Sequence, residues 1–165
     1  MLLLGSNRLA TYLNDHLAGS SAGLDLARRI AADNEGHAYG AEMSEIAGEI
    51  AEDRATLQRV MDRLGVSRDP VRLFAAWGVE RMRRTVPWSW VLDRAGLGRL
   101  EELELLTAGV IGKLSLWQAL GETQSVEGVD FAALADRASS QLDRLEVLRR
   151  RAAAEAFGRS SASRP

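Results

Sequence analysis

The chain has 165 residues, 46% of them hydrophobic and 27% charged, with three prolines and no cysteine, the proportions of one globular domain able to bury its own core. The missing cysteines exclude disulfides, thiolate catalysis and cysteine-ligated zinc, and suit a reducing, cytoplasmic setting. A net charge of −2 argues against a dedicated nucleic-acid binder.

The opening Met1-Leu2-Leu3-Leu4-Gly5 has no basic lead and meets polar Ser6-Asn7-Arg8 at once, which is not the layout of a signal peptide. No apolar run reaches the roughly 18 residues that a membrane span needs. From residue 6 to 33, Leu9, Tyr12, Leu13, His16, Ser20, Gly23, Ala27 and Ile30 recur at three- and four-residue steps, which predicts a first helix with those residues inward. Asn34-Glu35-Gly36 stops it. A second helix is expected over about 41–64, with Met43, Ile46, Ile50, Leu57, Val60, Met61 and Leu64 inward and Gly65 as the residue that ends it.

Asp69-Pro70 pairs an N-cap with a proline at the first helical position, so a short amphipathic helix is expected from Val71 to Arg84. A third long helix, about 97–120, carries Leu103, Leu106, Val110, Leu114 and Trp117, with Gly121 placed to terminate it. A fourth starts near Asp130 and turns Phe131, Leu134, Ala138, Leu142, Leu145 and Leu148 inward. Residues 1–158 thus form one helical-bundle domain and 159–165 a polar tail. The connection over 65–96 is far longer than an antiparallel hairpin needs, so the second and third helices are expected to run parallel.

That all-α, four-helix layout with a long crossover between the second and third helices, together with the strings Tyr12-Leu13-Asn14-Asp15-His16-Leu17-Ala18-Gly19 and Glu49-Ile50-Ala51-Glu52-Asp53-Arg54, resembles the ferritin-like superfamily, in particular small ferritin-like proteins of high-GC bacteria. The resemblance implies a bundle whose metal-bearing members place a carboxylate on each of two helices and a Glu-x-x-His pair on each of the other two. Here the histidines are His16, on the first helix, and His37, in the first loop, so the di-iron pattern is degenerate. The residues left to hold iron or another divalent metal are His16, Glu49, Asp53 and Glu104. The favoured reading gives the chain no cofactor and makes His16 and Asp53 a hydrogen-bonded polar pair fixing the register of the first two helices.

Lys113 is the sole lysine against twenty arginines and falls on or beside the inward stripe. Pairing with a carboxylate, or extension from the edge of the stripe, is preferred to a nucleophilic amine, because no activating constellation surrounds it. Residues 65–100 carry seven basic and three acidic groups. Their Trp77, Arg81, Arg84, Trp88 and Trp90 suit a homodimer interface, with a peripheral membrane contact as the alternative and nucleic-acid binding disfavoured. The helix-interior glycines Gly19, Gly23, Gly48, Gly109 and Gly112 weaken their helices, which implies either close helix contact or space for a large side chain. The resulting expectation is a non-catalytic ferritin-like bundle acting through protein contacts as a homodimer, with a metal-binding or oxidase-type relative and a membrane-associated bundle as the competing readings.

Overall fold

A computed structural model describes residues 2–69 and 97–158, with residues 2–7 described by their backbone. Within these residues the secondary structure is four helices: α1 (Leu2–Asp33), α2 (Ala38–Arg63), α3 (Leu97–Thr123) and α4 (Phe131–Phe157). The short helix expected from Val71 to Arg84 lies outside the described residues, as do Trp77, Arg81, Arg84, Trp88 and Trp90. None of the described helices is long and apolar enough to cross a membrane.

α1 begins at Leu2, earlier than the polar Ser6 suggests, and Leu2, Leu3 and Leu4 are good helix formers. It ends at Asp33, where Asn34 folds its side chain back to donate to the Ile30 carbonyl at 2.7 Å and Gly36 turns the chain at φ 80°. α2 ends in a Schellman motif. Gly65, at φ 64°, donates to the Asp62 carbonyl, and Val66 donates to that of Met61 at 2.9 Å. The carboxylate of Asp130 accepts from the Ala133 amide at 3.0 Å and so caps the start of α4.

Gly121 behaves differently from its expected role. α3 runs through it to Thr123, and a Cβ at Gly121 would stand 3.3 Å from the Cβ of Phe131. Its small size serves the close passage of α3 against the start of α4, not the ending of the helix.

The helices pack in the order α1, α2, α4, α3 around the bundle. α1 and α3 are antiparallel, since Arg29 pairs with Glu102 while His16 lies against Gly112. α2 and α4 are antiparallel too, because Tyr39 donates to the Leu148 carbonyl while Arg137 meets Asp53 further along. The diagonal pair α2 and α3 therefore runs parallel: Arg99 lies over the Tyr39 ring, and Lys113 reaches Asp53. The end of α2 and the start of α3 therefore lie at opposite ends of the bundle.

The core is apolar, centred on Leu13, Leu17, Ile30, Met43, Ile46, Leu57, Met61, Leu103, Leu106 and Leu116. On α1 the buried stripe passes through Leu17 and Leu24 instead of His16, Ser20 and Gly23, and Tyr12 is partly exposed. On α4 the buried position is Gln141, while Leu142 lies at the edge.

Candidate functional site

α2 and α4 touch mainly through long polar side chains. α2 presents Glu42, Glu45, Glu49, Glu52 and Asp53 at three- and four-residue steps, which is one helix face. α4 presents Arg137 and Arg144, two turns apart, with Gln141 between them. Arg144 pairs with Glu42, with Glu49 at 2.6 Å and with Glu45 at 3.3 Å. Arg137 pairs with Asp53 and, at 2.9 Å, with Glu52. Gln141 donates to Glu49 at 2.8 Å.

At the centre of this seam stands Lys113, reaching across from α3. Its ammonium donates to Asp53 Oδ2 at 2.6 Å and to Gln141 Oε1. Asp53 is 2% exposed and Gln141 is fully buried. Burial pushes the lysine below its ordinary pKa, opposed first by the charge of Asp53 and then by the hydrogen bond the ammonium donates to it. Burial also acts to raise the pKa of Glu49, but the bonds from Gln141 and Arg144 outweigh it and hold the group below its ordinary value. An ion pair this deep is stable only because each oxygen of Asp53 has a cationic donor.

The expected pairing of His16 with Asp53 is not formed. Both Asp53 oxygens are engaged, one by Lys113 and one by Arg137. The His16 ring instead meets the Tyr12 ring edge-on at 4.5 Å and 72°. The physical reason is register: the parallel course of α2 and α3 brings an ammonium to Asp53, and a charged donor is a stronger partner than a neutral imidazole. The lysine is thus paired with a carboxylate, one of the two arrangements the sequence favoured for it.

The four candidate metal ligands are distributed as follows. His16 and Asp53 line one cavity, Glu49 is held by Arg144 and Gln141, and Glu104 sits exposed on α3 with Arg149 3.7 Å away. Among the described residues, no three histidine, aspartate or glutamate side chains are disposed to hold a metal ion. The seam residues Arg137 and Arg144 escaped the sequence reading, although their seven-residue spacing opposite an acidic row was visible there. Asn14 escaped it too. Its buried amide accepts from the Asp69 amide at 2.8 Å and donates to the Ser67 carbonyl at 3.0 Å, fastening the segment after α2 to α1.

Between α1, α2 and α3 lies a cavity of about 230 Å³. Leu57, Leu106, Val110, Leu116 and Trp117 supply apolar wall, and its polar part includes His16, Asp25, Arg29, Asp53, Arg54 and Lys113. The Trp117 indole N–H is buried with no hydrogen-bond partner among the described residues. A Cβ placed on Gly23 or Gly109, both in the lining, would meet nothing within 4 Å. Among the described residues these two glycines serve neither close helix approach nor a bulky neighbour; they leave space open.

Burial lowers the pKa of His16 from its ordinary 6.5, with Asp15 opposing. A group with a lowered folded pKa binds fewer protons folded than unfolded, so the folded state loses stability as the pH drops below about 6.5, until the folded pKa is passed. Glu49 acts in a separate, lower window, below its ordinary 4.5. Denaturant titrations over the mildly acidic range are therefore expected to show a stability loss in the wild type that His16→Gln flattens.

Comparisons with protein families, with curated proteins and with solved structures find no match to this chain.

Proposed function

We propose that the chain is a non-catalytic ferritin-like helical bundle that works through protein–protein contacts as a homodimer, using the outer face of α3. The parallel course of the diagonal helices α2 and α3 supports that topology. A non-catalytic role is supported by the state of the one buried amine, which is committed to Asp53 and Gln141.

The observation that carries the contact face is the charge distribution on α3. From Leu105 to Gly121 the sole ionisable residue is Lys113, and it is turned into the bundle. The outward side of this stretch is Leu105, Ala108, Ile111, Ser115 and Gln118, with Ile111 51% exposed. A helix apolar or neutral on all sides is ordinarily covered. A second copy of the same face suits it, because a two-fold contact lays each patch on itself and this one brings no like charges together.

Sedimentation velocity over a wide concentration range tests this reading. The wild type is expected to reach dimer mass, and Ile111→Glu to remain monomeric with unchanged helix content. A wild type that stays monomeric throughout overturns the homodimer and assigns the cover of α3 to another partner or to residues 70–96 of the chain itself. Stoichiometric iron, manganese or zinc in protein purified without a metal-affinity tag, lost on His16→Ala, overturns the metal-free reading.

A further inference from the structure

We propose that the cavity between α1, α2 and α3 is a binding site for a small carboxylate with an apolar body, of the medium-chain aliphatic or aryl type. Size sets the first limit. A cavity of roughly 150 Å³ lined by aliphatic and aromatic side chains takes up benzene. The 230 Å³ found here scales to a body of about ten non-hydrogen atoms.

The chain also gives up helix stability to keep the space. Gly23 and Gly109 sit inside helices, where alanine is the more stable choice, yet alanine at either position would touch nothing. Packing within the described bundle does not explain them. An occupant that needs the room does, and the wall it would lie against is Leu57, Leu106, Val110 and Trp117.

The polar part of the lining sets the charge of the head group. Its ionisable groups are Arg29, Arg54 and Lys113 against Asp25 and Asp53, with His16 favoured as the neutral imidazole by burial. Lys113 is committed to Asp53 and Gln141, Arg29 to Glu102, and Asp25 is exposed. Arg54 is different. It is half-buried, and the contact the described residues provide it is the Ser21 hydroxyl, which accepts from Nε at 3.1 Å. The remaining face of its guanidinium is a fork matched to a carboxylate. An apolar lining with one such group is the usual composition of a small-molecule site.

Octanoate and 1-octanol, equal in chain length and different in the head group, separate the two parts of the proposal by isothermal titration calorimetry on the full chain. Octanoate is expected to bind one per chain and about tenfold more tightly than octanol, the worth of one charge-assisted hydrogen bond. Arg54→Gln should bring octanoate down to the octanol level while leaving octanol unchanged. Gly109→Leu and, on the opposite wall, Gly23→Leu should abolish binding of both, and each is checked for retained helix content and melting temperature. Absence of octanoate binding overturns the site, as it would if residues 70–96 filled the cavity. Equal affinity for the two ligands overturns the role of Arg54, and full binding in both leucine variants places the ligand elsewhere.

Discussion

Asp53→Ala is expected to destabilise the protein by about 3–5 kcal/mol, the range for removing one partner of a buried ion pair. The carboxylate is 2% exposed and compensates two cations, Lys113 from α3 and Arg137 from α4. Arg137 retains Glu52 at 2.9 Å and has a route to solvent. Lys113 retains one described hydrogen-bond partner, the carbonyl oxygen of Gln141, and the more distant charge of Glu49, so it must either carry a poorly compensated charge or give up its proton. For a chain of this length the loss corresponds to a fall in melting temperature of about 10 °C. The double variant Asp53→Leu with Lys113→Met removes both charges and fills the space with apolar atoms, which should recover most of the stability. Thermal denaturation of Asp53→Leu, Lys113→Met and the double variant checks this. Additive losses would show that the two residues do not act as a pair.

The contrast between Asp53 and its partners shows what a single chain discloses. Met43, Ile46 and Ile50 were legible as core because helical burial follows a local period, and Asp53 was legible as an inward carboxylate for the same reason. Its partner was not. Choosing between His16 and Lys113 requires the relative register of three helices, and that depends on a long connection whose path is not encoded in any local spacing. Gln141 could have been placed inside from Leu134, Ala138, Leu145 and Leu148, which bracket it at helical steps. Its neighbour Leu142 is the more hydrophobic choice and drew the expected stripe to itself. The cavity was hidden for another reason: a glycine that permits close approach and a glycine that leaves a void look identical in a sequence. The aromatic and basic residues of the crossover, offered as an interface, lie outside the described residues and are neither placed nor displaced by the fold.

Gly40→Ala separates those two kinds of glycine most sharply and should cost about 3 kcal/mol, the upper part of the usual range for overpacking. Gly40 lies in the first turn of α2, where an added Cβ would fall 2.2 Å from the Asn34 carbonyl oxygen, 2.8 Å from its carbon and 3.2 Å from the Ala31 oxygen. All three contacts are backbone, so no side-chain rotation relieves them. The turn itself has little freedom to retreat. Asn34 is buried and anchored to the Ile30 carbonyl, Gly36 holds a positive φ, and the His37 amide donates to the Asn34 oxygen at 3.1 Å. Relief therefore requires the ends of α1 and α2 to part, which uncovers buried Ile30, Tyr39 and Met43. Gly48→Ala, on the same helix and exposed, meets nothing within 4 Å and should stabilise by about 0.5–1 kcal/mol, since alanine forms helix better and restricts the unfolded chain. Chemical denaturation of both variants should thus move the midpoint in opposite directions for one and the same substitution. Equal shifts would mean that the α1–α2 turn yields to the methyl group, and that Gly40 is not what brings those two helix ends together.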